Sequence, residues 1–297
     1  MTSTHLYGGI EAGGTKFVCA VGDGPDNIVD EVRFPTTTPA ETIQQAIDFF
    51  APHTHQLRGI GLGSFGPFDV NPASHTYGFI TTTPKPHWAN TNILGMLQEE
   101  LHVPFAVEMD VVVAGLGEAA WGGSRTDRCS LYLTIGTGIG GGFILNGKPY
   151  RGLVPLEMGH IRLPRDPKRD PFPGSCPYHG DCFEGLAAGP AIQARFDQRG
   201  ETIADDDRFW AIEAEYIAYA LTNYILTLAP ERIIIGGGIM QRGFMFPSVR
   251  KKTLELLNGY ISHEAILKHM DEYIVPPALG NRSGVLGAIA LAMHAAA

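Results

Sequence analysis

The sequence predicts an α/β protein made of two halves, each built from strands followed by helices. The first observation is that short apolar strands alternate with amphipathic helices along the chain. The second is a pair of similar segments, GGIEAGGTKFVCAV and TIGTGIGGGFIL, which each predict a strand, a glycine turn and another strand. The third is the length of 297 residues, which is long for one domain and sufficient for two. We therefore expect a weak internal duplication, with a cleft between two α/β halves.

The elements of the first half follow from local patterns. Three short strands are expected within HLYGGIEAGG, TKFVCAVG and NIVDEVRFP. Thr38 as N-cap and Pro39 at the first helical position then predict a helix. The rest of this half is predicted to be a buried strand in LRGIGLGSFGP, a helix around 90–101, the strand PFAVEMD and a helix from about 111 to 121.

The same kind of pattern restarts after Trp121. CSLYLTIGTGIGGGFILNGKPY predicts a hairpin with a glycine turn and a second turn at Asn146 and Gly147. The remaining elements are predicted to be a helix near 183–198, a long amphipathic helix near 206–229, a buried strand in RIIIGGGIM and a last helix over about 282–296. These elements suggest a smaller N-terminal domain (1–115) and a larger C-terminal domain (116–281), with the helix 282–297 packing back on the first.

Composition and charge exclude several classes of function. Apolar residues make up 44% of the chain and charged residues 18%, which is typical of a folded protein with a sizeable core. The net charge is −9 and no basic block is present, so we expect no nucleic-acid partner and no anionic-membrane partner. The first residues, MTSTHLYGGI, do not have the features of a signal peptide, and apolar runs such as VVVAG are too short to span a bilayer. We expect a cytoplasmic protein.

Two of the four cysteines lie in a motif that is typical of a metal site, Cys176-x-x-His179-x-x-Cys182. Disulfides are rare in the cytosol, and thiolate and imidazole are the preferred ligands of zinc. The surrounding prolines and glycines predict a loop with little core of its own, which a metal would order. His160 is the best candidate for the fourth ligand and Asp181 a weaker one. Four protein ligands would make the zinc structural, whereas the alternative is two buried thiols and a surface histidine.

The glycine-rich segments match the consensus sequences of nucleotide-binding motifs but lack the secondary structure that should follow them. A dinucleotide fingerprint needs a helix directly after its glycines. A β-hairpin follows Gly136, Gly138 and Gly141, and a proline-rich loop follows the second match, at 61–66. A P-loop is excluded as well, because Pro149 stands where the magnesium-binding Ser or Thr should be.

Paired glycine turns still favour phosphate binding, because glycine lets backbone N–H groups approach phosphate oxygens. Thr15 and Thr137 would add hydroxyl donors, and Lys16 a positive charge. One such turn alone would be an ordinary hairpin. Two turns together with GGGIM at 236–240 favour a nucleotide-binding cleft.

Taken together, these segments resemble the ROK family of bacterial sugar kinases, and most closely its zinc-containing fructokinases. The resemblance extends in order over nearly the whole chain. It is carried by GGIEAGGTKFVCAV, GSFGP, TTTPK, EMDVVVAGLGE, IGTGIGGG, PLEMGH, CPYHGDCFEGLAAGPA and IIIGGGIM. The resemblance implies a two-domain actin/hexokinase-like (ribonuclease H-like) fold, a homodimer, and ATP- and Mg²⁺-dependent phosphorylation of a hexose, D-fructose to fructose 6-phosphate.

The resemblance also implies roles for particular residues. Asp110 matches the general base, although a strand-to-helix position would equally suit a helix N-cap. The positions matching phosphate and adenosine contacts are Gly13, Gly14, Thr15, Lys16, Gly136, Thr137, Gly138, Gly236, Gly237 and Gly238. Those matching sugar contacts are Gly66, Pro67, Thr83, Asp110, Glu157, His160 and Glu184. Those matching zinc ligands are His160, Cys176, His179 and Cys182.

The chain departs from the family pattern at three positions. Glu11 stands where many members carry Asp, near the Mg²⁺ site. Met109 and Val112 replace asparagines on either side of the base, which removes possible hydrogen bonds to the sugar. Mannose, glucose and N-acetylmannosamine therefore remain alternative substrates.

Three competing classes of function fit the sequence less well than a kinase. A regulator of the same family would carry a helix-turn-helix, and none precedes the first strand. A zinc hydrolase would need an open metal position, which four protein ligands do not leave. A sugar-binding module without catalysis would have no use for Asp110 or for two phosphate turns.

Overall fold

The computed structural model describes residues 5–205 and 208–296. By contacts between residues the chain forms two compact units. Unit 1 comprises Met1–Thr126, Gly147–Pro155 and Ala278–Ala297, and unit 2 comprises Asp127–Asn146 and Leu156–Pro277. Across the described residues, no helix is both long enough and apolar enough to cross a bilayer.

Ten strands and ten α-helices are present in the described parts of the chain. The strands are β1 (Leu6–Ala12), β2 (Lys16–Gly24), β3 (Asn27–Pro35), β4 (Leu57–Ser64), β5 (Phe105–Met109), β6 (Cys129–Ile135), β7 (Ile139–Leu145), β8 (Lys148–Pro149), β9 (Arg232–Gly236) and β10 (Ile274–Val275). The helices are α1 (Pro39–Phe50), α2 (Ile93–Leu101), α3 (Asp110–Ala120), α4 (Phe183–Ala187), α5 (Gly189–Phe196), α6 (Phe209–Leu228), α7 (Met245–Leu257), α8 (Glu264–Leu267), α9 (Met270–Tyr273) and α10 (Ser283–Ala296).

Unit 1 is built on a mixed sheet with the strand order β3-β2-β1-β4-β5. β1 pairs antiparallel with β2 and parallel with β4, and β4 pairs parallel with β5. Successive side chains of β2 point to opposite faces of the sheet, and both faces are buried. Phe17 and Cys19 belong to the core that includes α1 and α2, whereas Val18 and Ala20 pack with Val285 of α10. Both faces are covered by helices, and the central strands are therefore apolar along their length.

Unit 2 contains strands in the order β10-β9-β6-β7. β6 pairs antiparallel with β7 and parallel with β9, which repeats the relationship of β1 to β2 and β4. The expected internal duplication is therefore visible in the connectivity of the two sheets. The core of this unit brings the side chains of β6 and β9 together with α6, including Leu133, Ile235 and Leu221.

Two predicted helices differ from the structure. The helix expected near 183–198 is two helices, because Ala188 is extended (φ −76°, ψ 161°) and Pro190 follows in the first turn of α5. The long helix expected near 206–229 is α6, and its predicted first residues Asp206 and Asp207 lie outside the described residues.

No element was predicted for 241–281, where α7, α8, α9 and β10 lie. In each turn of α7 only one residue is buried. Its members are Met245, Val249, Thr253 and Leu257, one of them polar. Such a stripe gives a weak periodic signal.

Candidate active site and metal centre

Asp110 is the first residue of α3, directly after β5. Met109 holds the N-cap position, so the alternative interpretation of Asp110 as the N-cap is wrong. One carboxylate oxygen, Oδ1, accepts a hydrogen bond of 2.8 Å from the backbone N–H of Val111. The side chain is thus fixed at the junction of a strand and a helix, which is a rigid support for a reacting group.

Burial raises the pKa of Asp110 to about 7, against the lowering effect of the Val111 hydrogen bond. The negative charge of Glu11, at the end of β1, adds to the rise. A carboxylate whose pKa lies near neutrality has the strength expected of a general base at physiological pH.

The residues matching sugar contacts in unit 1 lie on loops tied to one another. The thioether of Met109 lies against Gly66, where an added Cβ would approach its Cε to 2.7 Å. The carbonyl of Pro67 accepts hydrogen bonds from the backbone N–H (2.8 Å) and the hydroxyl (3.2 Å) of Thr81. Thr83 lies two residues further on, and its hydroxyl accepts from the N–H of Lys85. The structure therefore brings Gly66 next to the β5–α3 junction and joins the Thr83 loop to Pro67.

The turn between β1 and β2 is held from outside by Thr36. The Thr36 hydroxyl donates to the carbonyl of Gly13 (2.7 Å), and its backbone N–H donates to the carbonyl of Thr15 (2.9 Å). Within the turn, the N–H of Gly13 donates to the carbonyl of Lys16 (3.0 Å). These hydrogen bonds fix the conformation of the turn.

The corresponding turn of unit 2, Gly136–Gly138, lies beside the second glycine segment. A Cβ added at Gly136 would lie 3.9 Å from the backbone nitrogen of Gly238. Gly237 has a φ of +95° and approaches the carbonyl of Ile135, a conformation and a space that suit only glycine. Two of the predicted nucleotide segments thus meet at one end of the β6–β9 pair.

Glu157, His160 and Glu184 form a group of mutually interacting side chains in unit 2. Burial raises the pKa of Glu157; the His160 ring lowers this pKa and the Glu184 charge raises it. The Nε2 atom of His160 lies 4.0 Å from Oε1 of Glu184. The backbone N–H of His160 donates to the carbonyl of Glu157 (3.0 Å). The turn that carries PLEMGH and the start of α4 therefore place two carboxylates and an imidazole together.

The other face of His160 belongs to a cluster of four metal-ligating side chains. One ligand atom of each of His160, Cys176, His179 and Cys182 lies within 4.8 Å of the others. Nδ1 of His160 is 3.5 Å from Sγ of Cys182 and 3.8 Å from Sγ of Cys176. The latter sulfur is 3.6 Å from Nδ1 of His179.

These distances fit a zinc ion. Metal–ligand bonds of about 2.0–2.3 Å in a tetrahedron place neighbouring ligand atoms roughly 3.3–3.8 Å apart. The chemistry of the set, two sulfurs and two imidazole nitrogens, is also that of a structural zinc site. Burial raises the pKa of the Cys182 thiol to about 11, and the nearby Cys176 contributes to the rise. Two neighbouring thiolates need a cation, which is what a divalent metal supplies.

Asp181, the weaker candidate ligand, is not part of this cluster. Its carboxylate forms ion pairs with Arg162 (3.0 Å) and Arg165 (3.4 Å). Arg162 also donates to the carbonyl of His179. The two arginines therefore tie the Cys-His-Cys loop to the strand-like segment that follows His160. Sequence reasoning missed them, although both belong to the segment HIRLPR next to His160.

Two buried carboxylates, one before α3 and one near its end, were not anticipated. Glu108 is buried and pairs with Arg151 through Nε (3.0 Å) and Nη2 (2.8 Å). Glu118 is fully buried at the other end of α3, where its carboxylate accepts four hydrogen bonds. The donors are the backbone N–H groups of Gly123, Ala278 and Leu279 and the hydroxyl of Ser283. A buried acid in a helical segment is a signal that such partners exist.

Comparison with known proteins agrees with this arrangement. The ROK family profile matches residues 7–295. A putative fructokinase of Bacillus subtilis (strain 168) is 46% identical over 290 residues, covering 98% of this chain and 96% of the relative. A fructokinase of Pediococcus pentosaceus is 45% identical over 290 residues, covering 98% of each chain. The crystal structure of a ROK hexokinase from Thermus thermophilus superposes with a TM-score of 0.79 at 24% identity, covering 98% of each chain.

The chain belongs to the ROK family. The structural match confirms the predicted α/β class with an actin/hexokinase-like fold, and the family match confirms the resemblance found in the sequence.

Proposed function

We propose that this protein is a fructokinase that transfers the γ-phosphoryl group of ATP to the 6-hydroxyl of D-fructose. The proposal is supported by full-length relatives that bear the name fructokinase at 39–46% identity. The single structural observation that carries it is Asp110, a carboxylate on a rigid strand–helix junction whose pKa is raised to about 7.

Asp110 is the general base of this proposal. Its carboxylate accepts the proton of the 6-hydroxyl as the oxygen forms its bond to phosphorus and ADP leaves. Glu157, His160 and Glu184 are proposed to bind the sugar in unit 2, and Gly66, Pro67 and Thr83 in unit 1. Carboxylates and an imidazole are suited to hydrogen-bond the several hydroxyls of a hexose.

The glycine turns are proposed to bind ATP. Backbone amides within Gly13–Lys16 and Gly136–Gly138, other than those of Gly13 and Gly136 that donate within their own turns, contact phosphate oxygens, with the hydroxyls of Thr15 and Thr137 as further donors. Lys16 contributes a positive charge, and Gly236–Gly238 contacts the adenosine. Mg²⁺ that accompanies ATP supplies charge neutralisation on the phosphates.

The cluster of His160, Cys176, His179 and Cys182 is proposed to hold a structural zinc ion. All four positions of a tetrahedron are filled by protein ligands, so no position is left for a catalytic water. Because His160 belongs both to this cluster and to the sugar group, metal binding also fixes the side chains that meet the substrate. We further propose a cytoplasmic homodimer, on the strength of the family resemblance alone; size-exclusion chromatography with light scattering tests the oligomeric state.

A coupled assay of ADP release tests the proposed activity. We expect the highest kcat/KM with D-fructose among fructose, mannose, glucose and N-acetylmannosamine. Preference for another hexose would correct the substrate while leaving the kinase assignment in place. The absence of sugar-dependent ADP release from folded, zinc-loaded protein would reject the kinase and favour a binding module.

A further inference from the structure

Glu11 occupies an unusual place in unit 1. It lies at the end of β1, and one carboxylate oxygen, Oε2, is buried without a hydrogen-bond partner among the described residues. Burial raises the pKa of Glu11, while the positive charges of Lys16 and Arg33 lower it. A buried carboxylate with an unpaired oxygen is costly, so its position needs a structural reason.

The reason lies in the first turn of α10. A Cβ added at Gly284 would lie 2.4 Å from Cδ, 2.6 Å from Oε2 and 2.8 Å from Cγ of Glu11. Any side chain at this position would therefore occupy the space of the carboxylate. The backbone N–H of Val285, which follows, lowers the pKa of Glu11. Because the first amides of a helix have no partner within it, this end of α10 suits a negative charge.

β1 and α10 come close enough for this contact because β1 also carries glycine. A Cβ added at Gly9 would lie 2.6 Å from the carbonyl oxygen of Val285. Gly284 supplies the space that the Glu11 carboxyl group occupies.

We propose that Glu11 and Gly284 form a size-matched pair, and that Glu11 is a positioning residue which α10 holds in a fixed relation to Asp110. The proposal rests on the proposed role of Asp110 as the base. In the parallel register Ala12 pairs with Ser64 and Ser64 pairs with Met109, so Glu11 and Asp110 lie at the same, carboxyl end of the strands of unit 1. Displacing the Glu11 carboxylate therefore changes the surroundings of the base and of the phosphate turn that follows β1 together. If the two residues share one space, a smaller residue at position 11 should offset the damage done by a larger residue at position 284. If each residue acts independently, no such compensation is expected.

A double-mutant cycle tests the pair with Gly284→Ala, Glu11→Asp and the combined variant. In Gly284→Ala the methyl group displaces the Glu11 carboxylate, and we expect kcat to fall by about 10- to 100-fold with a smaller change in KM for fructose. Glu11→Asp withdraws the carboxyl group by one methylene, which removes the contact of the methyl group with Cδ at 2.4 Å and leaves the one with Cγ at 2.8 Å. We therefore expect the combined variant to recover kcat and the urea midpoint relative to Gly284→Ala. Gly243→Ala is the matched control, since a Cβ there meets no atom within 4 Å.

The outcomes separate this inference from the proposed function. If the effects of the two substitutions simply multiply, so that Glu11→Asp rescues neither kcat nor stability, the size-matched pair is rejected. If Gly284→Ala does not fold, the pair requires that the combined variant does; failure of both to fold rejects it. If the wild-type protein has no kinase activity, the proposed function fails, while coupling in the urea midpoints still decides whether the two residues are matched.

Discussion

Glu184 joins the glycine turn of unit 2 to the cluster of His160, Cys176, His179 and Cys182. Its Oε2 atom accepts a hydrogen bond of 2.8 Å from the backbone N–H of Ile139, directly after the turn, and its Oε1 atom lies 4.0 Å from Nε2 of His160. A residue proposed for the sugar site thus accepts a hydrogen bond from the segment proposed to bind phosphate and lies beside a proposed zinc ligand. We therefore expect a change at this glutamate to affect all three.

Two substitutions of Glu184 should distinguish the effect of its hydrogen bond with Ile139 from the effect of its charge near His160. Glu184→Gln keeps an oxygen for Ile139 but loses the charge near His160, whereas Glu184→Ala loses both. We expect kcat/KM for fructose to fall by about 10- to 100-fold in Glu184→Gln, since a hydrogen bond to a charged group contributes about 1.5–3 kcal/mol. The urea midpoint should fall clearly only in Glu184→Ala, where the N–H of Ile139 is left unpaired. Wild-type kinetics in the alanine variant would contradict the assignment.

Removal of the metal should lower stability and activity together. A ligand that binds only the folded chain at a thousandfold excess over its dissociation constant stabilises it by about 4 kcal/mol. We expect one zinc per chain by elemental analysis, and a loss of zinc and a lower melting temperature in Cys182→Ser. Cys129→Ser is the control, because Cys129 is a buried thiol outside the cluster and should keep the metal. Full activity of a metal-free protein would show that the cluster does not support the sugar site.

How far the sequence predicts this site depends on the range of the interactions. The spacing of Cys176, His179 and Cys182 is local, so three ligands can be recognised directly. His160 follows from being the nearest candidate upstream. The glycine turns are equally local, because each is defined by consecutive residues between two strands.

Contacts between distant segments leave weaker signals. Glu118 accepts hydrogen bonds from residues about 160 positions away, and Gly284 meets Glu11 from the opposite end of the chain. No periodicity or spacing encodes such a pair. The break between α4 and α5 is an intermediate case, because Pro190 marks it, but the apolar pattern continues across it and suggested one helix.

The pKa of Asp110 predicts opposite effects on activity and stability. The base must be ionised, so kcat/KM should rise with pH through about 7 and level off above it. Asp110→Asn should lower kcat by about 10²- to 10⁴-fold at pH 8. A pH profile that is flat between 6 and 8, or an active asparagine variant, would contradict the role of this residue.

The stability effect of the same substitution has a definite sign. Between the ordinary pKa of an aspartate, near 4, and the raised value of about 7, the folded protein keeps a proton that the unfolded chain has released. The free energy of unfolding therefore falls as pH rises through this window. An asparagine side chain carries no charge, so the melting temperature of Asp110→Asn should exceed that of the wild type by more at pH 8 than at pH 5. An equal difference at both values would show that Asp110 does not titrate in this range.

The packing of α10 on the sheet of unit 1 gives a last prediction. A Cβ added at Gly61 of β4 would lie 1.9 Å from the carbonyl oxygen of Ala288 and 3.1 Å from the N–H nitrogen of Ala292. These are backbone atoms of a helix, which cannot move aside as a flexible side chain would. Gly61→Ala must therefore push α10 away from the sheet and disturb the contacts of Val285 and Ile289 with β2.

We expect Gly61→Ala to lose about 3 kcal/mol of stability or more, at the upper end of the range for overpacked cores, measured by urea unfolding. Gly243→Ala, whose new methyl group meets open space, should leave the free energy of unfolding within about 0.5 kcal/mol of the wild type. Equal stabilities for the two variants would mean that α10 does not approach β4 as closely as the structure shows.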